Sequence, residues 1–195
     1  PHSLLTVTFT NKAANEMKGR IESMLGQEMA DFWCGTFHGI AHRLLRRHWE
    51  EANLRSEFAI LDSEDQYRVI KRVCKSMGVD EGKWPSRQIQ WYINKEKDEC
   101  RRANQAESGD DYFVEQMTKV YEEYEQLCER ESLVDFGELL LRSLNLLSTN
   151  ESLLSHYQKR FKHILVDEFQ DTNEVQYRLL SLLKGKDSSY TAVGD

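Results

Sequence analysis

Short apolar runs alternate with amphipathic stretches along this chain, and few folds are compatible with that alternation. Four runs are candidate strands, namely Leu4–Phe9, Phe32–Thr36, His163–Val166 and Tyr190–Val193. The stretch after the first run, Asn11–Leu25, repeats its apolar residues at helical spacing. Strand followed by helix is the order found in α/β domains with a parallel sheet. The predicted fold class is therefore α/β.

A long helical stretch interrupts this order. Between about Asp62 and Phe161 the pattern predicts several helices and almost no strand. The longest predicted helix is Asp111–Glu131, and the polar segment 98–110 before it is typical of a loop. We therefore expect a mainly α-helical subdomain inserted into the α/β domain.

Composition excludes several classes of protein. The 195 residues are 39% hydrophobic and 30% charged, which is typical of a globular protein in water. No run approaches the roughly 20 apolar residues of a membrane helix, so no membrane partner is expected. The first residues lack the basic lead of a secretory signal, and the four cysteines form no CxxC pair. These features predict a cytoplasmic protein with free thiols and no zinc site.

Charge is distributed unevenly along the chain. The formal net charge is −7, yet residues 36–102 carry 14 Lys and Arg against 11 Asp and Glu. Residues 103–195 carry 9 basic against 18 acidic residues. Because polyanion binding depends on local patches, the net charge does not exclude nucleic acid. A polyanion partner is expected to meet the earlier part of the chain or a local groove.

Two carboxylates follow the third apolar run. Asp167 and Glu168 come directly after Ile164–Val166, and ligands bind at the carboxyl ends of strands in open parallel sheets. In phosphate-loop NTPases an Asp at such a place helps to hold Mg²⁺ on the nucleotide phosphates. A neighbouring carboxylate can activate the attacking water. This pattern predicts Asp167 as the metal residue and Glu168 as the general base; the alternative is a pair of acids that only flank a strand.

The longer string ILVDEFQDTN, at Ile164–Asn173, resembles the Walker B motif of the superfamily 1 DNA helicases of the UvrD/Rep/PcrA group. VTFTNKAANEM, at Val7–Met17, is similar to the family's motif Ia, and GTFHGIAHRLLR, at Gly35–Arg46, to its motif Ib. Val193–Asp195 resembles the start of the next motif. The segments LDSEDQ, WYINKEKDE and LVDFGELLLR of the helical stretch also resemble this group. The resemblance covers essentially the whole chain.

This resemblance implies a domain organisation. Residues 1–49 and 151–195 would form two parts of a RecA-like domain, the parallel-sheet domain of phosphate-loop NTPases, called 1A in the family. Residues 50–150 would form its helical insertion, called 1B. The resemblance also implies ATP and Mg²⁺ as cofactors. Single-stranded and forked DNA would be its partners, with repair proteins as further ones.

The resemblance also assigns residues to roles. Motif Ia lines the path of single-stranded DNA in the family, and motif Ib lies near the DNA backbone. The implied DNA-binding residues are Phe9, Thr10, Asn11, Lys12, Thr36 and His38. Glu168 and Gln170 are the implied catalytic residues, with Gln170 linking the nucleotide site to the DNA surface. The alternatives to DNA binding are a core position for Phe9 and a structural role for His38. Asp171 and Thr172 are expected to cap the next helix.

Four residues of the helical stretch allow two interpretations. Trp91, Tyr92, Lys95 and Lys97 would contact duplex DNA ahead of the fork. Alternatively, the aromatic residues belong to the core and the lysines are solvated.

The 195 residues contain no GxxxxGK[ST] phosphate loop, the Walker A motif. We therefore expect a fragment of an ATP-dependent 3′–5′ DNA helicase of DNA repair that neither hydrolyses ATP nor unwinds DNA alone. The alternative is a degenerate helicase-like module that is used only for DNA or protein binding. A neighbouring family, the helicase–nuclease subunits, shares the motifs but fits the helical insertion less well.

Overall fold

The computed structural model describes residues 2–26, 31–106 and 111–194. In chain order the strands and α-helices are β1 (Leu4–Thr8), α1 (Asn11–Leu25), β2 (Trp33–Thr36), α2 (Phe37–Arg47), β3 (Ala59–Leu61), α3 (Ser63–Ser76), α4 (Ser86–Asp98), α5 (Tyr112–Glu131), β4 (Leu133–Asp135), α6 (Phe136–Thr149), α7 (Glu151–Arg160), β5 (His163–Val166), α8 (Glu174–Leu183) and β6 (Ser189–Ala192). Short 3₁₀ helices span Ala103–Gln105 and Phe169–Asp171.

The chain divides into two compact units. Unit 1 consists of residues 1–48 and 142–195, and unit 2 of residues 49–141. The predicted insertion, residues 50–150, extends beyond unit 2. The end of unit 2 at residue 141 lies within the helix α6. In the described parts of the chain, no helix is both long and apolar enough to cross a membrane.

Unit 1 is built on a four-stranded parallel sheet in the order β2-β1-β5-β6. The central strand β1 pairs on both sides, so that Val7 lies opposite Gly35 on β2 and Val166 on β5. Strands covered on both faces carry continuous apolar or β-branched runs, as LLTVT of β1 does. The core of this unit includes Leu5, Val7, Trp33, Leu45, Phe161, Ile164 and Val166.

Threonine caps start the first two helices of unit 1. The Thr10 side chain accepts a hydrogen bond from the Ala13 N–H, which confirms the predicted cap of α1. Thr36 does the same for α2 through the Gly39 N–H. Gly26 ends α1 with a φ of 64°, a left-handed conformation that glycine adopts without a steric cost.

Unit 2 is mainly helical. Helices α3, α4 and α5 pack around an apolar core that includes Ile70, Ile89, Ile93, Val120, Tyr121 and Tyr124. The strands β3 and β4 form a two-stranded parallel sheet in which Ile60 lies opposite Val134. β4 was not predicted from the sequence, because a three-residue strand is too short to show a periodic pattern.

A buried polar network holds α4, α5 and the start of α6 together. The Lys97 ammonium donates to Asp135 at 2.8 Å and lies 3.3 Å from Glu138. Asp135 also accepts from the Tyr124 hydroxyl at 2.6 Å, and Arg102 donates to Glu138 through both terminal nitrogens. Burial lowers the pKa of Lys97, but the attraction of the two carboxylates outweighs burial and raises this pKa overall.

Candidate functional site

The residues predicted to act lie at one edge of the sheet in unit 1. Because all four strands are parallel, their carboxyl ends share an edge. The segment Phe9–Lys12 follows β1, Thr36 ends β2, and Asp167 and Glu168 follow β5. The strand order places the β1 segment between the other two. The sheet therefore brings the candidate hydrolysis and DNA-binding residues to the same edge.

The acidic turn is anchored to the central strand. The Asp167 N–H donates to the Val7 carbonyl at 3.0 Å, which extends the β1–β5 ladder by one residue. The Asp167 carboxylate accepts a hydrogen bond from the Glu168 N–H at 3.1 Å. Asp167 is half-buried, whereas Glu168 is exposed. The two carboxylates thus differ in environment although they are adjacent in sequence.

Glu168 adopts a left-handed backbone conformation, with φ 53° and ψ 43°. For a residue with a side chain this conformation costs about 1–2 kcal/mol. Such backbone conformations are concentrated at active sites, where the surrounding structure maintains them. Here the Glu168 carbonyl accepts from the Asp171 N–H at 3.0 Å. After β5 the chain therefore turns at Glu168 into the short helix that carries Gln170.

Gln170 lies against the end of β6. A Cβ atom built on Gly194 would overlap the Gln170 Oε1 atom, so a side chain at position 194 would require the Gln170 side chain to move. The Phe169 N–H also donates to the Val193 carbonyl at 3.0 Å. No role for Gly194 was predicted from the sequence, although a glycine directly after a predicted strand indicates a close approach of another group.

The helix that follows the acidic turn has a different cap from the one predicted. The Asn173 side chain caps α8 by accepting from the Gln176 N–H, and the Gln176 side-chain oxygen accepts from the Asn173 N–H. The prediction that Asp171 and Thr172 cap this helix is wrong, because the 3₁₀ helix comes first. The Thr172 hydroxyl instead donates to the Phe169 carbonyl and closes that turn.

The β1–α1 segment presents polar groups beside an aromatic pair. Asn11 and Lys12 are exposed at the start of α1. Phe9 is half-buried and packs edge-to-face on Phe37, with ring centroids 5.3 Å apart. Half-burial leaves part of the Phe9 ring accessible, although the contact with Phe37 also gives it a packing role.

The β2–α2 segment contributes Thr36 and His38. The Thr36 hydroxyl oxygen is engaged in capping α2, at 3.2 Å from the Gly39 nitrogen. His38 is half-buried, and burial lowers the pKa of its imidazole. The neutral imidazole is therefore favoured, so His38 suits hydrogen bonding better than charge pairing with phosphate.

The two carboxylates at the acidic turn suit Mg²⁺ better than a metal ion whose ligands all come from the protein. Among residues 2–26, 31–106 and 111–194, no group of three or more His, Cys, Asp and Glu side chains is arranged to hold a metal ion. Mg²⁺ is usually bound through one or two carboxylates, together with waters and phosphate oxygens. Asp167 and Glu168 match that limited requirement.

Two of the four candidate DNA contacts in unit 2 are unavailable. Tyr92 is buried and its hydroxyl lies 2.8 Å from the Thr118 hydroxyl, while Lys97 belongs to the buried network. The expectation that Lys97 is solvated is also wrong. Trp91, in contrast, is 64% exposed, and the Lys95 ammonium lies 5.6 Å from its ring centroid. Only Trp91 and Lys95 remain accessible to a partner.

Comparison with known proteins identifies the family. The family model described as UvrD/REP helicase N-terminal domain matches residues 1–195. DNA helicase II of Escherichia coli strain K12 is 50% identical over 195 residues, all of this chain and 27% of that protein. DNA helicase II of Haemophilus influenzae is 48% identical over 197 residues, 99% of this chain and 27% of that protein. ATP-dependent DNA helicase PcrA of Staphylococcus epidermidis is 37% identical over 196 residues, which are 100% of this chain and 27% of that protein.

These relatives are much longer than the chain, which spans 27% of their length. The match nevertheless covers the sheet, the acidic turn and the helical unit together. The parallel sheet with many helices is consistent with the RecA-like domain expected from the sequence. The chain belongs to the UvrD/REP helicase N-terminal domain family.

Proposed function

We propose that this chain is part of an ATP-dependent 3′–5′ DNA helicase, with unit 1 as the first RecA-like domain and unit 2 as its helical insertion. The observation that supports this most directly is the hydrogen bond between Asp167 and Val7. It joins the acidic turn to the strand that leads into Phe9–Lys12. A change in the nucleotide site can therefore reach the DNA-binding segment through one ladder of hydrogen bonds.

In this proposal the two carboxylates have separate tasks. Asp167 would be the residue that holds Mg²⁺ when ATP is bound. When bound, the metal neutralises phosphate charge. A carboxylate oxygen of Glu168 accepts the proton of the attacking water, since this side chain is exposed at the edge of the sheet. Gln170 responds to the γ-phosphate and passes the change to the end of β6 through Gly194.

The DNA-binding residues form a row along the same edge. Lys12 supplies positive charge, Asn11 hydrogen-bond donors, and Phe9 a ring face on which a base can stack irrespective of its identity. Thr10 and Thr36 are both N-cap residues, so free N–H groups of the helix starts lie near any bound phosphate. His38 adds a neutral hydrogen-bonding group. This row is proposed to track single-stranded DNA at a fork.

The substitution Glu168→Gln tests the catalytic assignment in a form of the protein that includes a GxxxxGK[ST] segment. We expect DNA-stimulated ATP turnover to fall by roughly 10²–10⁴-fold, the usual contribution of a general base. ATP and DNA binding, measured by fluorescence anisotropy, should persist because the amide keeps the size of the side chain. Glu174→Gln, on the exposed side of α8, is the matched control. Normal turnover in Glu168→Gln would exclude the proposed role.

The 195-residue chain alone should not hydrolyse ATP. Its residues include no phosphate loop, and the acidic turn provides neither the cradle of N–H groups nor the lysine that bind the phosphates. A phosphate-release assay with and without single-stranded DNA measures this directly. DNA-dependent turnover that Glu168→Gln abolishes would contradict the expectation.

We also propose that the protein works in DNA repair in the cytoplasm, with repair proteins among its partners. Support comes from the family and from the DNA helicase relatives. The alternative, a module that only binds DNA or protein, is distinguished by the Glu168→Gln experiment. Such a module would have no turnover for the substitution to remove.

A further inference from the structure

Three arginines converge on one carboxylate at the start of β2. The Asp31 carboxylate accepts hydrogen bonds from Arg43, from Arg47 at 2.9 Å and from Arg160 at 2.7 Å. Arg43 and Arg47 belong to α2, whereas Arg160 ends α7. We call these four residues the Asp31 cluster. Two helices and a strand start, all within unit 1, therefore hold its charged groups in place.

Trp33 forms the floor of the Asp31 cluster. Its side chain is 1% exposed, and the guanidinium carbons of Arg43, Arg47 and Arg160 lie 4.4, 5.6 and 5.8 Å from its ring centroid. Cations over a tryptophan face are attracted by its electron density. The ring thus positions the three guanidinium groups while their outer sides stay accessible.

The Asp31 cluster carries surplus positive charge. Within the described residues, its three guanidinium groups share one carboxylate, which leaves an excess of two positive charges. Arg160 holds the pKa of Asp31 below its usual value through a hydrogen bond, so this carboxylate stays ionised. Lys159 and Lys162 are exposed on either side of Arg160 in the sequence. This surplus lies in a chain whose net charge is −7.

Two hydrogen-bond donors at the Asp31 cluster are buried without a partner in the described structure, namely Arg160 Nε and the indole Nε1 of Trp33. An unpaired buried donor costs about 1–3 kcal/mol. Two unpaired donors favour the binding of a further hydrogen-bond acceptor. Because the neighbouring guanidinium groups carry surplus positive charge, an anionic acceptor fits best.

The position of the Asp31 cluster separates it from the candidate hydrolysis site. Asp31 precedes β2 and Arg160 precedes β5, whereas Thr36 ends β2 and Asp167 follows β5. In a parallel sheet these are opposite edges. A ligand held by the arginines would therefore not occupy the nucleotide site or the row that begins at Phe9.

We propose that the Asp31 cluster is a second anion-binding site that takes a phosphate group, with Asp31 as an internal competitor for the same donors. Guanidinium groups bind phosphate through their N–H donors, and each of the three arginines directs one terminal nitrogen to the Asp31 carboxylate. The other terminal nitrogen of Arg43 donates to the Phe32 carbonyl at 2.7 Å. The phosphate is either a phosphodiester of a DNA strand or a free phosphate ion. This site is independent of the hydrolysis proposed above.

The first experiment uses the substitution Asp31→Asn. In ¹⁵N-labelled chain, the indole N–H resonance of Trp33, assigned with Trp33→Phe, is followed as phosphate replaces chloride at constant ionic strength. A saturable shift is expected, and Asp31→Asn should strengthen phosphate binding by about fivefold, since it removes a competing ion pair of ordinary strength.

Glu16→Gln is the matched control, because it removes an equal charge in unit 1 and also frees an arginine, Arg20, from its carboxylate partner. It should leave phosphate binding unchanged. If Asp31→Asn weakens phosphate binding or leaves it unaltered, Asp31 is not a competitor and the proposal is overturned.

The second experiment distinguishes the two sources of phosphate. A single-stranded oligonucleotide of about 12 nucleotides, within the usual size of such sites, is titrated while the same Trp33 resonance is observed. Displacement of phosphate by the oligonucleotide assigns the site to a phosphodiester. A response to phosphate alone assigns it to the free ion.

Arg47→Gln should weaken either response, and its 43% exposed side chain makes this the variant of the cluster that least disturbs folding. Arg20→Gln, on the exposed side of α1, is the charge-matched control. Equal responses in the two variants, or no response of Trp33 to either probe, would show that the arginines only pack on the tryptophan.

Discussion

Lys97 lies between Asp135 and Glu138 in unit 2, with a side chain only 3% exposed. Removing one member of a buried ion pair usually costs about 3–5 kcal/mol, because the partner charge stays buried. Here both carboxylates keep other donors. Asp135 retains Tyr124 and Glu138 retains Arg102. The lower end of that range therefore applies.

We expect Lys97→Met to lower the free energy of unfolding by about 3 kcal/mol. Lys95→Met, two residues earlier on the same helix, removes an exposed lysine and should cost less than about 1 kcal/mol. Urea unfolding of the two variants measures the difference. Equal stabilities would mean that the buried network contributes nothing that methionine cannot replace.

The two lysines also show where sequence reasoning fails at single residues. Both belong to the segment WYINKEKDE, and nothing in it separates an exposed lysine from a buried one. The carboxylates that pair with Lys97, Asp135 and Glu138, lie 38 and 41 positions later in the sequence. By contrast, the cap at Thr10 was predictable, because capping depends only on the next three residues.

At the level of elements, Thr10 and Thr36 begin two helices at the edge where the candidate DNA-binding row lies. Each threonine oxygen satisfies one N–H of the first helical turn. Capping fixes the direction of each helix start, and with it the N–H groups that would face a phosphate. These residues therefore combine a structural contribution with the proposed binding role.

Thr10→Ala and Thr36→Ala should each lower the free energy of unfolding by about 1 kcal/mol. Thr149→Ala is a matched control, because Thr149 only bonds back to carbonyls of its own helix, at Asn145 and Leu146, an arrangement that stabilises little. Chemical denaturation quantifies all three variants. Serine at position 10 or 36 should restore the stability, and failure of serine to do so would argue against capping as the cause.

The elements themselves were predictable to different degrees. β1, α1 and the helix at 112–131 follow from local apolar periodicity, and each lies within a residue of its predicted bounds. β3 and β4 could not be foreseen, since each has three residues and they pair across about 70 positions of sequence. The cap of α8 at Asn173 was missed because the turn Phe169–Asp171 displaces the helix start.

For the whole molecule, alkaline pH should act on unit 2. Burial lowers the pKa of Lys97, but the two carboxylates raise it more, so that it lies above its usual 10.5. Burial raises the pKa of Tyr124 above its usual 10.0. Both groups thus hold their protons more tightly when folded. Their contribution is fully present below the unfolded pKa values and is lost as pH rises through the folded ones.

The free energy of unfolding should accordingly fall as pH increases above about 10. Urea titrations between about pH 8 and pH 11, followed by circular dichroism, test this. Tyr124→Phe should have a shallower pH dependence because it removes one of the groups in unit 2 whose pKa is raised in the folded state. A stability that is independent of pH across this interval would contradict the assignment.

The short ladder between β3 and β4 gives unit 2 a mechanical property. Tension applied at residue 49 and at residue 141 reaches the two parallel strands from opposite ends, because the chain enters at the start of β3 and leaves beyond the end of β4. The strands would then slide past each other, so that their hydrogen bonds share the load instead of parting one by one. Unit 2 should therefore resist stretching between its two chain connections.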